Sequence, residues 1–409
     1  MALPALRYLD ISPMDHEGDQ VFCFHDPEGY VEHEVVLSPM AFFIAAQLDG
    51  IRDIEAVQGA FKEYSEGIEV PADRVLEVVN FLDDQGFLQS DKFRELRAEI
   101  DTGFRRATVR PAHLAGKSYP EDPAALRAYI DGFFNRESGP GELPKLVSNG
   151  KRCLPGLIVP HIDFDRGGHA YAHGFLRLAQ RGKPRTVIVF GVAHASPGVP
   201  FILTRKGFDT PLGTVACDSD IVDRLAEACD YDPFEYEMVH RTEHSIEFQA
   251  VMLAYLYGCD VRIVPILCGS FMGGDGGGNT LGSESVEQFL AVCRSVIAES
   301  DGEITVLAGA DLAHVGRRFG DDFEIDDRIV AEVTERDRED LAHAVAADAD
   351  SWYNSVMRDE NARRVCGLNC IYSAIRTVSG ISTGGELIHY DYAPDPSGGI
   401  VSFANVVFD

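Results

Sequence analysis

Four short runs in this chain are almost wholly apolar: "GLIVP" (156–160), "TVIVFG" (186–191), "VRIVPIL" (261–267) and "ITVLAG" (304–309). A strand with one face in water alternates apolar with polar side chains, so an unbroken run belongs to a strand covered on both faces. Sheets built from such strands are mostly parallel and carry helices on either side. The intervening segments supply the helices. "DIVDRLAEAC" is one, and "SIEFQAVMLAYLYG" is another, with Phe248, Val251, Met252 and Tyr255 on one apolar face. The fold class that follows is α/β, a mostly parallel central sheet flanked by helices.

What comes after these strands carries the chemistry. "LIVP" is followed by His161, "VIVFG" by "VAHAS" with His194, and "TVLAG" by "ADLAH" with Asp311 and His314. The ends of parallel strands lie along one edge, where open α/β sheets keep their ligand sites, so these side chains can converge although far apart in sequence. The residues alone fit either one shared site or three strand-edge caps. His169 and His173 stand at i and i+4 on the next helix and read as a helix face near the site rather than as ligands. In "RTEHSIEFQ" the helix macrodipole favours a carboxylate and suffices for Glu243. A cation is disfavoured there, so His244 reads as a neutral imidazole in a pocket. Its Glu-His-x-x-Glu order is not the zinc-helix His-Glu-x-x-His, and no Gly-x-Ser-x-Gly elbow occurs. In "RRVCGLNCIYSAIR", Cys366 stands at a helix start beside Arg363 and Arg364, where a thiolate would be stabilised; one buried cysteine among nine is the plainer alternative.

The charge balance of 36 basic against 66 acidic residues leaves −30. Such a surface repels phosphate backbones and anionic lipid, which disfavours nucleic acid and membrane partners. No run of about 18 apolar residues occurs. Nine cysteines without a C-x-x-C pair, and a start with no basic-then-apolar leader, lead us to expect a cytoplasmic protein. Residues 1–100 hold 21 acidic and 7 basic side chains. Within them, "LSPMAFFIAAQLDG", "DIEAVQGAFKEY" and "PADRVLEVVNFLDDQGFL" predict three short helices closed by a "GFL" strand, a winged-helix-like module over residues 1–95. Its acidity disfavours DNA. A charged linking helix (96–105) and the α/β domain (106–409) follow, with Gly/Pro-rich loops at 137–152 and 273–279.

The segments "AHLAGKSYP", "VPHIDFDRGG", "FGVAHAS", "RTEHSIEFQ", "GADLAHVGRRFG" and "VCGLNCIYSAI", in this order, resemble the Memo family, also called AmmeMemoRadiSam system protein B. The resemblance extends from about residue 110 to the C-terminus. It implies a fold similar to the class III extradiol dioxygenases, which hold iron with two histidines and a carboxylate. It also implies metal ligation by His161, His194 and Cys366, with His244, Asp311 and His314 lining the same pocket. The chain departs from many relatives in its acidic N-terminal module and in Ile162-Asp163, where several members have Ala-Gly. The N-terminal pattern is similar to the pyrroloquinoline-quinone biosynthesis protein D type, whose members hold peptides.

Two imidazoles and a thiolate suit Fe(II), Cu or Zn, whereas Mg and Ca need oxygen donors. Three functional readings follow from the resemblance. The first is an iron or copper redox enzyme with His314 as acid/base, oriented by Asp311, and His244 steering the substrate. The second is a non-catalytic protein that binds a small molecule or peptide and recruits a partner. The third is a zinc hydrolase. The family name implies a radical S-adenosylmethionine protein in the same system.

Overall fold

The computed structural model describes residues 1–16, 18–147, 152–195, 197–271 and 284–409. The glycine-rich loop at 273–279 lies outside them, as do residues 148–151 of the loop at 137–152. The chain forms two compact units, Met1–Arg106 and Ala107–Asp409.

The first unit opens with an antiparallel sheet of β1 (Asp10–His16), β2 (Asp19–His25) and β3 (Val35–Leu37). Four helices follow: α1 (Pro39–Ala46), α2 (Ile54–Tyr64), α3 (Ala72–Asp84) and α4 (Asp91–Arg106). Ser38 caps α1 by accepting from Ala41 N, and Asp53 caps α2 by accepting from Ala56 N. Val57 and Phe61 on α2 meet Val75, Val78, Val79 and Leu82 on α3 in a shared core. The "GFL" segment forms no strand; after Gly86 (φ +79°) it makes a single bridge, Leu88 to Leu6. The sheet lies upstream instead. Every residue of β1 is exposed, so it carries no alternation to announce it. The charged helix α4 packs within this unit: Phe93 and Phe104 are buried, and the Arg7 guanidinium sits 3.7 Å over the Phe93 ring.

The second unit runs β4 (Val109–Arg110), α5 (Pro123–Asn135), β5 (Gly156–Val159), α6 (Phe164–Ala179), β6 (Thr186–Val192), β7 (Phe201–Leu203), β8 (Gly207–Phe208) and β9 (Ala216–Cys217). It continues through α7 (Ser219–Ala226), α8 (His244–Tyr257), β10 (Arg262–Cys268), α9 (Glu284–Ala298), β11 (Ile304–Gly309) and β12 (His314–Gly316). It ends with α10 (Asp327–Val345), α11 (Ala349–Met357), α12 (Leu368–Val378), β13 (Gly385–Asp395) and β14 (Gly399–Phe408). The four apolar runs are neighbours, parallel throughout, in the order β5-β11-β6-β10. Period-two alternation divides their side chains between two cores. Ile158, Ile188, Val264 and Val306 face α9, α11 and α12, while Leu157, Val187, Ile263 and Leu307 face α5, α6 and α8. Beyond β5 the sheet turns antiparallel, with β14 on β5 and β13 on β14.

Helix α8 differs from its reading as a one-sided amphipathic helix. From Ser245 to Tyr257 only Tyr255 is not buried. Its polar face is enclosed because it is hydrogen-bonded to the strand ends: Ser245 Oγ donates to Val192 O (2.9 Å) and Gln249 Nε2 to Pro160 O (2.9 Å). The approach is close enough to require glycine. A Cβ on Gly191 would stand 2.6 Å from Ile246 Cγ1, and one on Gly309 would stand 2.8 Å from Ser245 O.

A buried ion cluster fixes the chain just ahead of α12. Arg363 donates to both Asp337 and Asp340 of α10, and all three side chains are nearly inaccessible. Tyr390 Oη donates to Asp337 Oδ2 at 3.0 Å, and Ser402 Oγ donates to the same oxygen. The Arg363 carbonyl accepts from His314 N at 2.7 Å. Arg363→Ala leaves two carboxylates buried without their cation, so unfolding free energy of the second unit should fall by about 3–5 kcal/mol. Urea denaturation of the variant measures it. Gly309→Ala overpacks the contact with α8 and should cost about 1–3 kcal/mol, read as a lowered urea midpoint with an unchanged slope.

Candidate metal centre

The sheet register builds the site. Val159, Gly309 and Gly191 are level on β5, β11 and β6. Two residues past the first two stand His161 and Asp311, and three past Gly191 stands His194. All three therefore emerge at the carboxyl ends of adjacent parallel strands.

Each imidazole is oriented through one nitrogen. His161 is buried, and its Nδ1 lies 2.9 Å from Gly309 O. A carbonyl only accepts, so Nδ1 carries the proton and Nε2 keeps its lone pair. Cys366 Sγ stands 3.5 Å from that Nε2, and Asp311 Oδ2 stands 3.6 Å from it. His194 Nδ1 lies 3.1 Å from both oxygens of Glu243, which also accept from His194 N (3.0 Å) and Ser245 N (3.0 Å). Its Nε2 is then the nitrogen left for a ligand. Donor atoms of His161, His194 and Cys366 all fall within 4.8 Å of one another, a group that could hold a metal ion. Ligands of one transition metal at about 2.0–2.3 Å stand roughly 3.3–3.8 Å apart, so small side-chain shifts suffice to share an ion. The donor set fits a transition metal in chemistry as well as in reach.

Asp311 ties the elements together. Its Oδ1 accepts from His161 N at 2.9 Å, and its backbone carbonyl accepts from Gly367 N (3.1 Å) and Cys366 Sγ (3.8 Å). His244, at the first position of α8, stacks on His194 with ring centroids 4.7 Å apart and lies 5.3 Å from the His161 ring. His314 Nδ1 is held by Leu312 O at 3.1 Å, so a backbone carbonyl orients this ring where the sequence suggested the Asp311 carboxylate. A cavity of about 420 Å³ is lined by His161, His194, His244, Asp311 and His314, together with His113, Arg166 and Arg318. Neither His169 nor His173 lines it.

Burial sets most of the ionisation. It pushes His161 down to about 3 and His244 down to about 4, so both are neutral at physiological pH. His314 is also lowered by burial, partly offset by the charge of Asp311, which burial raises. His194 is the exception. Burial would lower it, but the Glu243 hydrogen bond and charge prevail and raise it. Burial followed by the Asp311 charge pushes the Cys366 thiol well up. The expected stabilisation of its thiolate by arginines is not found: Arg363 is committed to Asp337 and Asp340, and Arg364 to Asp321 and the His314 carbonyl. With both cations neutralised elsewhere, a bound metal ion is the charge that would favour the thiolate.

Three contributors were not assigned to the site from sequence. Glu243, explained there by the helix dipole alone, is the partner of His194 and the cap of α8. Arg110, fully buried, donates to the carbonyls of His240 (2.6 Å) and Glu243 (2.9 Å) and pairs with Glu247 at 2.6 Å. It thereby fixes the turn that presents Glu243. His113 lines the cavity from the segment after β4. A buried arginine and a helix-capping glutamate look like surface residues in a sequence, and only their partners reveal them.

A family model described as "Memo-like protein" matches residues 110–407. A MEMO1 family protein of Aquifex aeolicus is 28% identical over 409 residues, covering 99% of each chain and hence both units. One from Methanopyrus kandleri is 30% identical over 304 residues, covering 73% of this chain and 98% of its own. One from Desulfurococcus amylolyticus is 27% identical over 300 residues, covering 72% and 97% respectively. No helix among the described residues is long and apolar enough to cross a membrane. The matched span contains every residue of the site, from His161 to Cys366, and on that extent the chain belongs to the Memo family.

Proposed function

We propose that this protein is a metal-dependent oxidoreductase whose iron or copper ion is held by His161, His194 and Cys366. The observation that carries the reading is the convergence of two oriented imidazoles and one thiol within 4.8 Å, beside a polar cavity. A bound iron or copper ion would supply one-electron chemistry and an open coordination position. Thiolate in place of a hard carboxylate favours a soft, electron-rich centre, and it makes Cys366 itself sensitive to oxidation.

The chain's own residues supply the rest. Gly309 O and Glu243 fix the two ligand rings through their Nδ1 atoms, the outer-shell arrangement that sets tautomer and direction. His314, with Nδ1 committed to Leu312 O, takes or gives a proton at Nε2. His244, neutral and stacked on His194, offers a substrate a hydrogen bond without adding charge. Arg318 brings a guanidinium group to the cavity, whereas Arg166 at its wall is paired with Asp163 (2.6 Å) and Asp395 (3.4 Å). The same donors accept zinc, and a zinc hydrolase is the outcome that a zinc-replete, iron- and copper-free active protein would establish.

Anaerobic purification followed by elemental analysis should give iron or copper near one equivalent per chain, and His161→Ala should lose it. Full retention of that metal by a folded His161→Ala protein would remove the proposal. Glu243→Gln keeps the side-chain shape but removes the charge that orients His194. Its affinity for the metal should fall by about 10- to 100-fold, measured by competition with a chelator of known affinity. An unchanged affinity would mean that Glu243 only caps α8.

A further inference from the structure

His169 and His173, absent from the first cavity, meet a second pair of candidate ligands that the sequence separates by more than two hundred residues. They share one face of α6, at i and i+4. His389 and Asp391 share one face of β13, at i and i+2. The two faces are in contact. His169 Nε2 lies 2.9 Å from Asp391 Oδ2. The His389 ring lies 5.4 Å from His169, edge to face, and 4.3 Å from His173, stacked.

We propose that His169, His389 and Asp391 form a second metal site, distinct from the first, for a borderline divalent cation such as zinc. Their donor atoms all lie within 4.8 Å of one another. The plain alternative is a helix-to-strand hydrogen bond between His169 and Asp391. That accounts for two of the residues and leaves the third unexplained: His389 Nε2 is buried and has no hydrogen-bond partner among the described residues. A buried ring nitrogen without a partner is costly, and a cation beside it would satisfy it.

The surroundings suit ligation. Burial, with His173 and His169 alongside, pushes His389 down to about 4, so its lone pair is available at neutral pH without loss of a proton. Asp391 is lowered by its bond to His169, and its Oδ1 is steadied by Tyr392 N at 2.8 Å. His173, which stacks on His389, is itself anchored by Ser138 O, 3.0 Å from its Nε2. Two imidazoles and one carboxylate form a donor set for zinc, cobalt or nickel rather than for magnesium or calcium. The Asp391 side chain is 39% exposed, which gives solvent and ions access. A cation here would join α6, which follows directly on His161, to the β13–β14 hairpin.

The test uses the full-length, untagged protein with the first site removed by His161→Ala and Cys366→Ser, so that its result does not depend on the proposed function. Titrated calorimetrically with zinc chloride, this background should bind one zinc per chain. Cobalt(II) in its place should give visible d–d bands without a thiolate charge-transfer band. Adding His389→Ala should weaken zinc binding by at least about a hundredfold. Asp391→Asn keeps the shape and guards against misfolding of the histidine variant; it should weaken binding in the same direction. Absence of zinc binding in the background would overturn the second site. Undiminished binding in a folded His389→Ala or Asp391→Asn protein would do so equally.

Discussion

Helix α8 reaches the ends of β6 and β11 only because Gly191 and Gly309 present no side chain to it. The rest of the site depends on that approach. It lets Ser245 and Gln249 satisfy carbonyls at the strand ends, at Val192 and Pro160, where the backbone leaves the sheet for the histidines. It places Glu243, at the cap of the same helix, against His194. Arg110 secures the arrangement from behind by holding the Glu243 carbonyl and pairing with Glu247 inside the helix. One steric permission thus becomes a set of directed hydrogen bonds, and one of them, between Glu243 and His194, determines which nitrogen of that ring faces the cavity.

The electrostatics follow the same logic of commitment elsewhere. The protein is strongly acidic, yet several acids near the site are paired with arginines. Asp337 and Asp340 share Arg363, Glu247 has Arg110, and Asp321 has Arg364. Neither Arg363 nor Arg364 is left to ionise Cys366, and burial pushes its thiol well up. Charge that could stabilise a thiolate has been spent on stabilising the loop that delivers it. A site of neutral imidazoles, a protonated thiol and one raised histidine is a centre waiting for positive charge, and a transition metal supplies it in the most compact form.

Legibility in the sequence varied with the kind of signal. The helices of the first unit were readable because Val57, Phe61 and the valines of 75–79 repeat with helical period and Ser38 and Asp53 cap them. Strand β1 was not, since none of its side chains is buried. The hairpin of β13 and β14 went unread although β14 is buried at all ten positions, because its polar Ser402 and Asn405 interrupt the apolar run. Cys366 could be assigned only through the family resemblance, for nothing in its own neighbourhood separates it from eight other cysteines. His169 and His173 were visible as a pair, but their partners at 389 and 391 were not.

By itself, then, the sequence determined the strands and the side chains that leave their ends. An unbroken apolar run must be buried on both faces, and parallel neighbours must put their carboxyl ends together. It determined in the same way that His161, His194 and Asp311 would share an edge. Only the tertiary structure decided what each of those groups is bonded to. Hydrogen-bond partners such as Glu243 with His194, or Asp391 with His169, lie tens to hundreds of residues apart. Periodicity reports on burial, which is a property of one segment. The direction of a ring nitrogen is a property of two, and it exists only once they have been packed together.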